Sequence, residues 1–393
     1  MEKILLDTAL ILFATKIAGL ASRKLKMPEV LGALIAGVLL GPAVLNAVDY
    51  SDGVRLLANF GVIFLMFLAG LETNLEEFKK AGRSSFLIAV LGIAFPLVMG
   101  TASAYLFFGS WAENLFVGII LTATSVSITV ETLTELGKLN TRAGVNILGA
   151  AVIDDVLGLI LISLVLALYA GGGDGGASSS SAALTLLWIV LFCAAALPTI
   201  LFLPRLAERY AKKIRPGRAL LTFSIAAALL AAFAAEKAGI AAITGAYLCG
   251  LLLSCLPQKE YLERNVKAIS SGFLAPVFFA SVGIEANLNG LNAETAAIAL
   301  VMFLVAVLGK VLGCGLGARI FRMSRGESLQ IGVGMISRGE VAIITANIGL
   351  QNRIITQEVF VPTIIVVILT TIATPILLKL AFSHRSEEQP ERL

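Results

Sequence analysis

Thirteen long apolar runs leave this chain one class of fold. They lie at roughly 2–22, 28–46, 53–71, 84–108, 114–133, 140–169, 182–204, 217–236, 239–256, 266–283, 294–321, 326–348 and 358–381. Runs of this length suit the ~30 Å hydrocarbon core of a bilayer. Backbone N–H and C=O groups cannot stay unpaired there, so the runs must be helices. The alternating pattern of a membrane barrel is absent. Only 14% of the 393 residues are charged and 58% are hydrophobic, against roughly 25% charged in a soluble domain. The expected fold is an all-α polytopic membrane protein of about 13 transmembrane helices. The N-terminal run has no A-x-A cleavage site and reads as a retained first span, not a signal peptide.

The basic residues orient the spans. Loops after odd-numbered spans carry Arg23, Lys24, Lys26; Lys79, Lys80, Arg83; Lys138, Arg142; the cluster from Arg205 to Arg218; Lys259, Arg264, Lys267; and Arg319, Arg322, Arg325. With Arg385 and Arg392 in the tail, about 22 basic residues lie on one side and about four (Lys3, Arg55, Lys237, Arg353) on the other. Because basic loops stay cytoplasmic, the N-terminus is expected outside and the C-terminus inside. The bias recurs at every loop and supports the span count. No basic run is interleaved with aromatics, which argues against nucleic acid as a partner. The four cysteines are widely spaced in apolar runs, and the single histidine, His384, lies in the polar tail. Disulfide frameworks and histidine-based catalysis or metal binding find no support, and no cofactor is implied.

The segment Gly171 to Ser181, GGGDGGASSSS, has the composition of a flexible external linker. Six spans precede it, one follows, and six complete the chain. The extra span puts the last six in the opposite topology to the first six, the arithmetic of an inverted repeat. The expected division is 1–169 as the first repeat, 170–216 as linker, linking helix and basic loop, and 217–393 as the second repeat and a short tail.

Four features fall at one depth. Asp154 and Asp155 sit mid-way along the sixth span in AAVIDDVLGLI. A carboxylate in hydrocarbon costs several kcal/mol unless paired, hydrated or neutralised, and such groups are functional by default. Neighbours on a helix point about 100° apart, so the two face different surroundings. Lys310 lies near the midplane of the eleventh span, too deep to snorkel, and needs one of these aspartates as its partner. Gly313, Gly315 and Gly317 beside it permit close helix packing. The fifth span reads LTATSVSITV, with Thr122, Thr124, Ser125, Ser127 and Thr129. The twelfth reads GVGMISRGEVAI, with Ser337, Arg338 and Glu340. Both make poor continuous helices, and both are the fifth of their half. Broken helices at matching positions point to a transporter's binding site. Arg338 and Glu340 are expected to pair locally. Glu131 is either solvated at the inner end or answers Arg338. Glu76, Glu77, Lys79 and Lys80 read as a solvated loop.

Taken together, LGALIAGVLLGPAVL, FLMFLAGLETNL, ATSVSIT, ILGAAVIDDVLGLI, FLAPVFFASVGI, LGKVLG and GVGMISRGEVAII resemble, essentially end to end, the bacterial sodium/proton antiporters of the second monovalent cation/proton antiporter family, NapA type. The resemblance implies a homodimer in the bacterial inner membrane. Each protomer would have a dimerisation domain and a mobile core of spans 4–6 (about 84–169) and 11–13 (about 294–381), with the two broken helices crossing in the core. It implies Asp155 as the ion-binding carboxylate, Asp154 as the partner of Lys310, and a threonine within Thr122 to Thr129, nearest Thr124 and Ser125. Ser127, Thr129 and Ser337 would support the site. At Glu131 the resemblance would put a basic residue, so local pairing with Arg338 and Glu340 is not carried over.

The expected activity is exchange of Na+ or Li+ for H+ by an elevator-like motion. Proton and cation would compete for one carboxylate, and Lys310 would supply a second proton, making exchange electrogenic. K+/H+ exchange stays open, because the motif does not fix ionic radius. The glutathione-gated K+ type is disfavoured because it adds a nucleotide-binding domain and this chain ends shortly after its last span. A sodium/solute symporter would not need the Asp-Asp and Lys constellation. An intramembrane aspartyl protease would need its two carboxylates on different helices, so an enzyme is not expected.

Overall fold

A computed structural model describes residues 2–25, 27–169, 216–238, 240–285 and 292–383. The Gly/Ser linker, the linking span expected at 182–204 and His384 lie outside the described residues. All regular structure among those described is helical. In the first half, α1 (Glu2–Lys24), α2 (Glu29–Leu40), α3 (Asp52–Glu72) and α4 (Leu75–Ala104) precede α5 (Trp111–Ile120), α6 (Val126–Glu135) and α7 (Arg142–Tyr169). The second half contains α8 (Arg218–Lys237), α9 (Ala242–Leu253), α10 (Lys259–Ile269), a π-helical turn (Ser270–Leu274), α11 (Ala275–Ile284), α12 (Ala293–Ile320), α13 (Arg325–Gly334), α14 (Glu340–Gln351) and α15 (Gln357–Ser383). Among the described residues, eight helical spans are long and apolar enough to cross a membrane. Short apolar helices complete the bundle. At 12 residues each, α2 and α9 are only about 18 Å long.

Each half holds a helix interrupted at its centre, α5–α6 in the first and α13–α14 in the second. These are the two spans rich in hydroxyls and glycine. One loop reading is corrected. Glu76, Glu77, Lys79 and Lys80 are exposed but belong to the first turns of α4. Asn74 caps that helix, its side chain accepting from the N–H groups of Glu76 and Glu77. Two acidic residues in the first turn complement the positive helix end.

The helices pack as two sets. In one, α4 lies along α12 and meets α5 and α7, while α12 packs on α13 and α15. In the other, α3 packs on α9, α9 on α8, and α2 on α1 and α11. Lipid offers helices no hydrophobic gain on pairing, so small residues and close approach must supply the attraction. At the α3–α9 crossing a Cβ on Gly70 would stand 2.2 Å from the Tyr247 carbonyl oxygen, and one on Gly250 2.2 Å from that of Phe67. Along α12, a Cβ on Gly313 would stand 2.3 Å from the Leu91 carbonyl of α4, and one on Gly317 2.9 Å from Ile88 Cα. Gly315 makes no such approach; its nearest neighbour would be 3.5 Å away.

Candidate functional site

Asp154 and Asp155 occupy the middle of α7, and α4 holds that helix on one side through Ser84, which donates to Asn146 Oδ1 at 2.5 Å. The two carboxylates have different partners. Lys310 of α12 donates to Asp154 at 3.1 Å (Oδ1) and 3.3 Å (Oδ2). The lysine is 0% exposed and Asp154 3%. Buried charges of this kind persist only when paired. The helix carrying Lys310 lies close against α4: a Cβ on Gly92 would fall 2.5 Å from Cys314 Sγ.

Asp155, 8% exposed, instead accepts a hydrogen bond at Oδ2 from Thr244 Oγ1 of α9, 3.0 Å away. Beside the pair lies a cavity of about 20 Å³, lined by Ile119, Thr122, Ala123, Thr124, Asp154, Asp155, Gly158, Ile162 and Val341. A space of about 10–15 Å³ is enough for one water, so a fully hydrated cation does not fit and a stripped one does. Hard cations of this size prefer oxygen ligands, and the carboxylates and the Thr122 to Thr124 segment present them.

The two helix breaks cross behind this cavity. Ser125 N–H donates to the Ser337 carbonyl at 2.7 Å, and Thr129 Oγ1 to that of Gly334 at 2.8 Å. A Cβ on Gly339 would stand 2.7 Å from Ser125 Oγ, so the crossing requires glycine there. Of the hydroxyls expected at the ion site, Thr122 and Thr124 line the cavity. Ser125, Ser127, Thr129 and Ser337 do not; Ser125 and Ser127 lie 3.3 Å apart, oxygen to oxygen. The hydroxyl of Ser337 is buried with no partner among the described residues.

Arg338 is 1% exposed, and its guanidinium meets backbone carbonyls. It donates to Leu121 (2.7 Å), Ile336 (2.8 Å), Met335 (3.2 Å) and Ala306 (3.3 Å), with a longer contact to Ser337. Helix C-termini leave carbonyls unpaired and carry partial negative charge. One cation therefore answers the ends of both α5 and α13. Thr370 and Thr371 of α15 fix the same residue, Thr370 accepting from the Arg338 N–H and Thr371 donating to its carbonyl. Of the two readings of Glu131, the one with Arg338 finds no ion pair: no described carboxylate pairs with Arg338, and Glu131 lines a cleft. Glu340 opens α14, and its side chain lies outside the described residues. Arg338→Met should strand several buried carbonyls, at ~1–3 kcal/mol each. We expect a clear fall in the thermal unfolding midpoint in detergent, with Arg338→Lys recovering part of it.

The cleft, of about 1220 Å³, runs between α1–α2, α6, the π turn and α11, and its lining includes Arg23, Glu29, Glu131, Glu135, Lys267 and Lys379. It therefore opens at the end that carries the basic loops. Glu135 closes part of its wall, accepting from the N–H groups of Glu29 (2.5 Å) and Val30 (3.0 Å) at the start of α2. Glu29 in turn bridges Arg23, and Lys16 stands 3.6 Å from it. Towards the other end, Ala235, Ala238 and Ile240 pack on Val156 and Ile160 next to Asp155. Thr244, Thr370 and Thr371 escaped the reading of the sequence. Each is a single hydroxyl or a pair in a strongly apolar helix, a pattern equally suited to bonding its own backbone.

Residues 9–382 match the family model of the transmembrane sodium/hydrogen exchanger. The chain belongs to this family. The exchanger is 38% identical over 381 residues to the Na(+)/H(+)-K(+) antiporter GerN of Bacillus cereus, covering 96% of each chain. It is 38% identical over 371 residues to the Na(+)/H(+) antiporter of Enterococcus hirae, covering 94% of this chain and 96% of the relative. Among solved structures, the sodium proton antiporter MjNhaP1 of Methanocaldococcus jannaschii at pH 8 superposes with a TM-score of 0.67 over 96% of this chain and 98% of the other. At 18% identity that likeness concerns the fold.

Proposed function

We propose that the exchanger trades Na+ or Li+ for H+ at Asp155, as an electrogenic antiporter of the second, NapA-type family. We read it as a homodimer in the bacterial inner membrane, N-terminus outside and C-terminus cytoplasmic. The observation that carries this reading is a buried carboxylate beside an ion-sized cavity, with a second carboxylate already held by Lys310. A bare carboxylate at the midplane is costly to move through the barrier. A proton or a cation neutralises it, and the two compete for one charge. Exchange is then obligatory, because the core reorients only when loaded. The set α4–α7 with α12–α15 is the moving core, and α1–α3 with α8–α11 the fixed scaffold. On that orientation of the termini, the cleft open at the basic end and the closed Val156–Ile240 contact support reading this conformation as inward-facing.

Lys310 adds the second proton. A cation bound to the aspartates weakens the hold of Asp154 on the lysine. An ammonium does not stay charged at 0% exposure without a counter-ion, so it leaves its proton and two protons move per cation. No part of this scheme is an enzyme's chemistry or needs a cofactor.

K+ is the second candidate substrate, favoured by the likeness to the Na(+)/H(+)-K(+) antiporter GerN of Bacillus cereus. Proteoliposomes with an imposed pH gradient and a fluorescent pH probe separate the readings. Collapse on adding Na+ or Li+ is the expected result. Collapse with K+ alone keeps the mechanism and changes the ion. No response to any of the three between pH 6 and 9, from folded protein, rejects antiport.

A further inference from the structure

We propose that Thr244 is a positioning residue for Asp155 that acts on one face of the membrane only, giving the two faces unequal cation affinity. The inference rests on Asp155 being the exchanged site and on relative motion of the two helix sets. The hydroxyl and the carboxylate it serves belong to different sets. Asp155 stands on α7, packed on α4, whereas Thr244 stands in the first turn of α9, packed on α3 and α8.

The α9 helix is fixed to its own set at several points. A Cβ on Gly245 would stand 2.1 Å from the Ala231 carbonyl of α8, and Gly70 and Gly250 bring α3 and α9 into backbone contact. Tyr247 Oη reaches Thr73 Oγ1, just past the end of α3, at 3.4 Å. Thr244 therefore cannot travel with α7. Its side chain also departs from a pattern that several buried threonines of this protein follow. Thr15, Thr73, Thr132 and Thr363 each donate to the carbonyl four residues back, whereas Thr244, 3% exposed, donates across the joint to Asp155.

A hydroxyl donated to a carboxylate stabilises its ionised form, which is the form that takes a cation. A carboxylate offers about four acceptor positions, so the hydroxyl and a cation can be held together. While the cleft is open, Thr244 favours cation over proton at Asp155. Once the core has moved, the contact is broken and the preference is gone.

The test uses the full-length protein in membrane vesicles of both orientations, with Na+ supplied from either face and the apparent KM measured at fixed pH. Thr244→Val removes the hydroxyl and keeps the shape. Hydrogen bonds to charged groups are worth enough to move an equilibrium about tenfold or more. We expect the KM for Na+ to rise about tenfold on the cleft-side face and by less than about twofold on the other, with Thr244→Ser restoring the wild-type value. Equal shifts on both faces, no shift on either, or a lost maximal rate with both KM values unchanged overturns the proposal. Should the valine variant fail to fold, Thr244→Ala is read by the same criteria. Wild type and Asp155→Asn run alongside: exchange present in the first and absent in the second, with a symmetric Thr244 response, rejects only the role of Thr244. Absence of exchange in the wild type rejects the reading beneath it.

Discussion

Asp155→Asn should reduce Na+-driven collapse of a pH gradient to the level of empty liposomes, a loss of at least about a hundredfold, while leaving the protein folded. Asparagine matches aspartate in size and keeps an oxygen to accept the Thr244 hydroxyl, so the packing around the 20 Å³ cavity is preserved. What disappears is the charge. A neutral amide binds neither the proton nor the cation strongly, and a core permanently neutral has nothing to exchange. Two decades of rate correspond to about 2.7 kcal/mol of barrier, modest beside the several kcal/mol at stake for a charge at the midplane. Asp155→Glu keeps the charge but adds a methylene to a cavity with room for about one water. Slowed exchange with altered preference among Li+, Na+ and K+ is the expected result. Gel filtration and a thermal melt in detergent establish that both variants are folded. Undiminished exchange by folded Asp155→Asn would move the site to Asp154 and leave Asp155 a structural role.

Lipid made much of this fold readable. Hydrocarbon forbids unpaired backbone, so apolar runs had to be helices, and the exceptions stood out. Asp154, Asp155 and Lys310 are charged where charge is costly, and the sequence alone says that the lysine needs one of the aspartates. Hydroxyl and glycine clusters marked the interruptions at 121–125 and 335–339, because such residues satisfy or tolerate unwound backbone. What stayed hidden were partners that leave no trace in composition. Carbonyls are present at every residue, so nothing in ISRGE tells that Arg338 would take the ends of α5 and α13 rather than a carboxylate. Thr244 stayed hidden for the converse reason: a threonine in an apolar helix usually bonds its own backbone. The start of α4 was misread because charge was taken as a sign of loop, although Asn74 followed by Glu76 and Glu77 is a capping pattern.

These hidden contacts are also where the two helix sets meet. Glu135 of α6 accepts from the start of α2, and Thr244 of α9 donates to α7. Both are polar, directional and short, and they stand beside apolar contacts that also cross between the sets, such as Ile240 with Val156 and Ile160 and Phe78 with Tyr247. Close-packed interiors resist gradual deformation. Directional hydrogen bonds between the sets can be exchanged for others as the sets move, as alternating access requires.

The Asp154–Lys310 pair separates stability from transport. Lys310→Met leaves Asp154 buried without its counter-charge, and breaking one side of a buried pair typically costs about 3–5 kcal/mol. We therefore expect a marked fall in the melting midpoint of the detergent-solubilised protein. The double variant Asp154→Asn with Lys310→Met removes both charges and should recover most of the loss. That recovery is the coupling that a double-mutant cycle isolates. Transport should respond differently. With Asp155 intact, the double variant still has one carboxylate for proton and cation to contest, but no lysine to bring the second proton. Exchange should persist at reduced rate and become electroneutral, so that a membrane potential set with K+ and valinomycin no longer drives it. If the potential drives double variant and wild type alike, the second proton comes from a group other than Lys310, whose pairing with Asp154 then serves the fold alone.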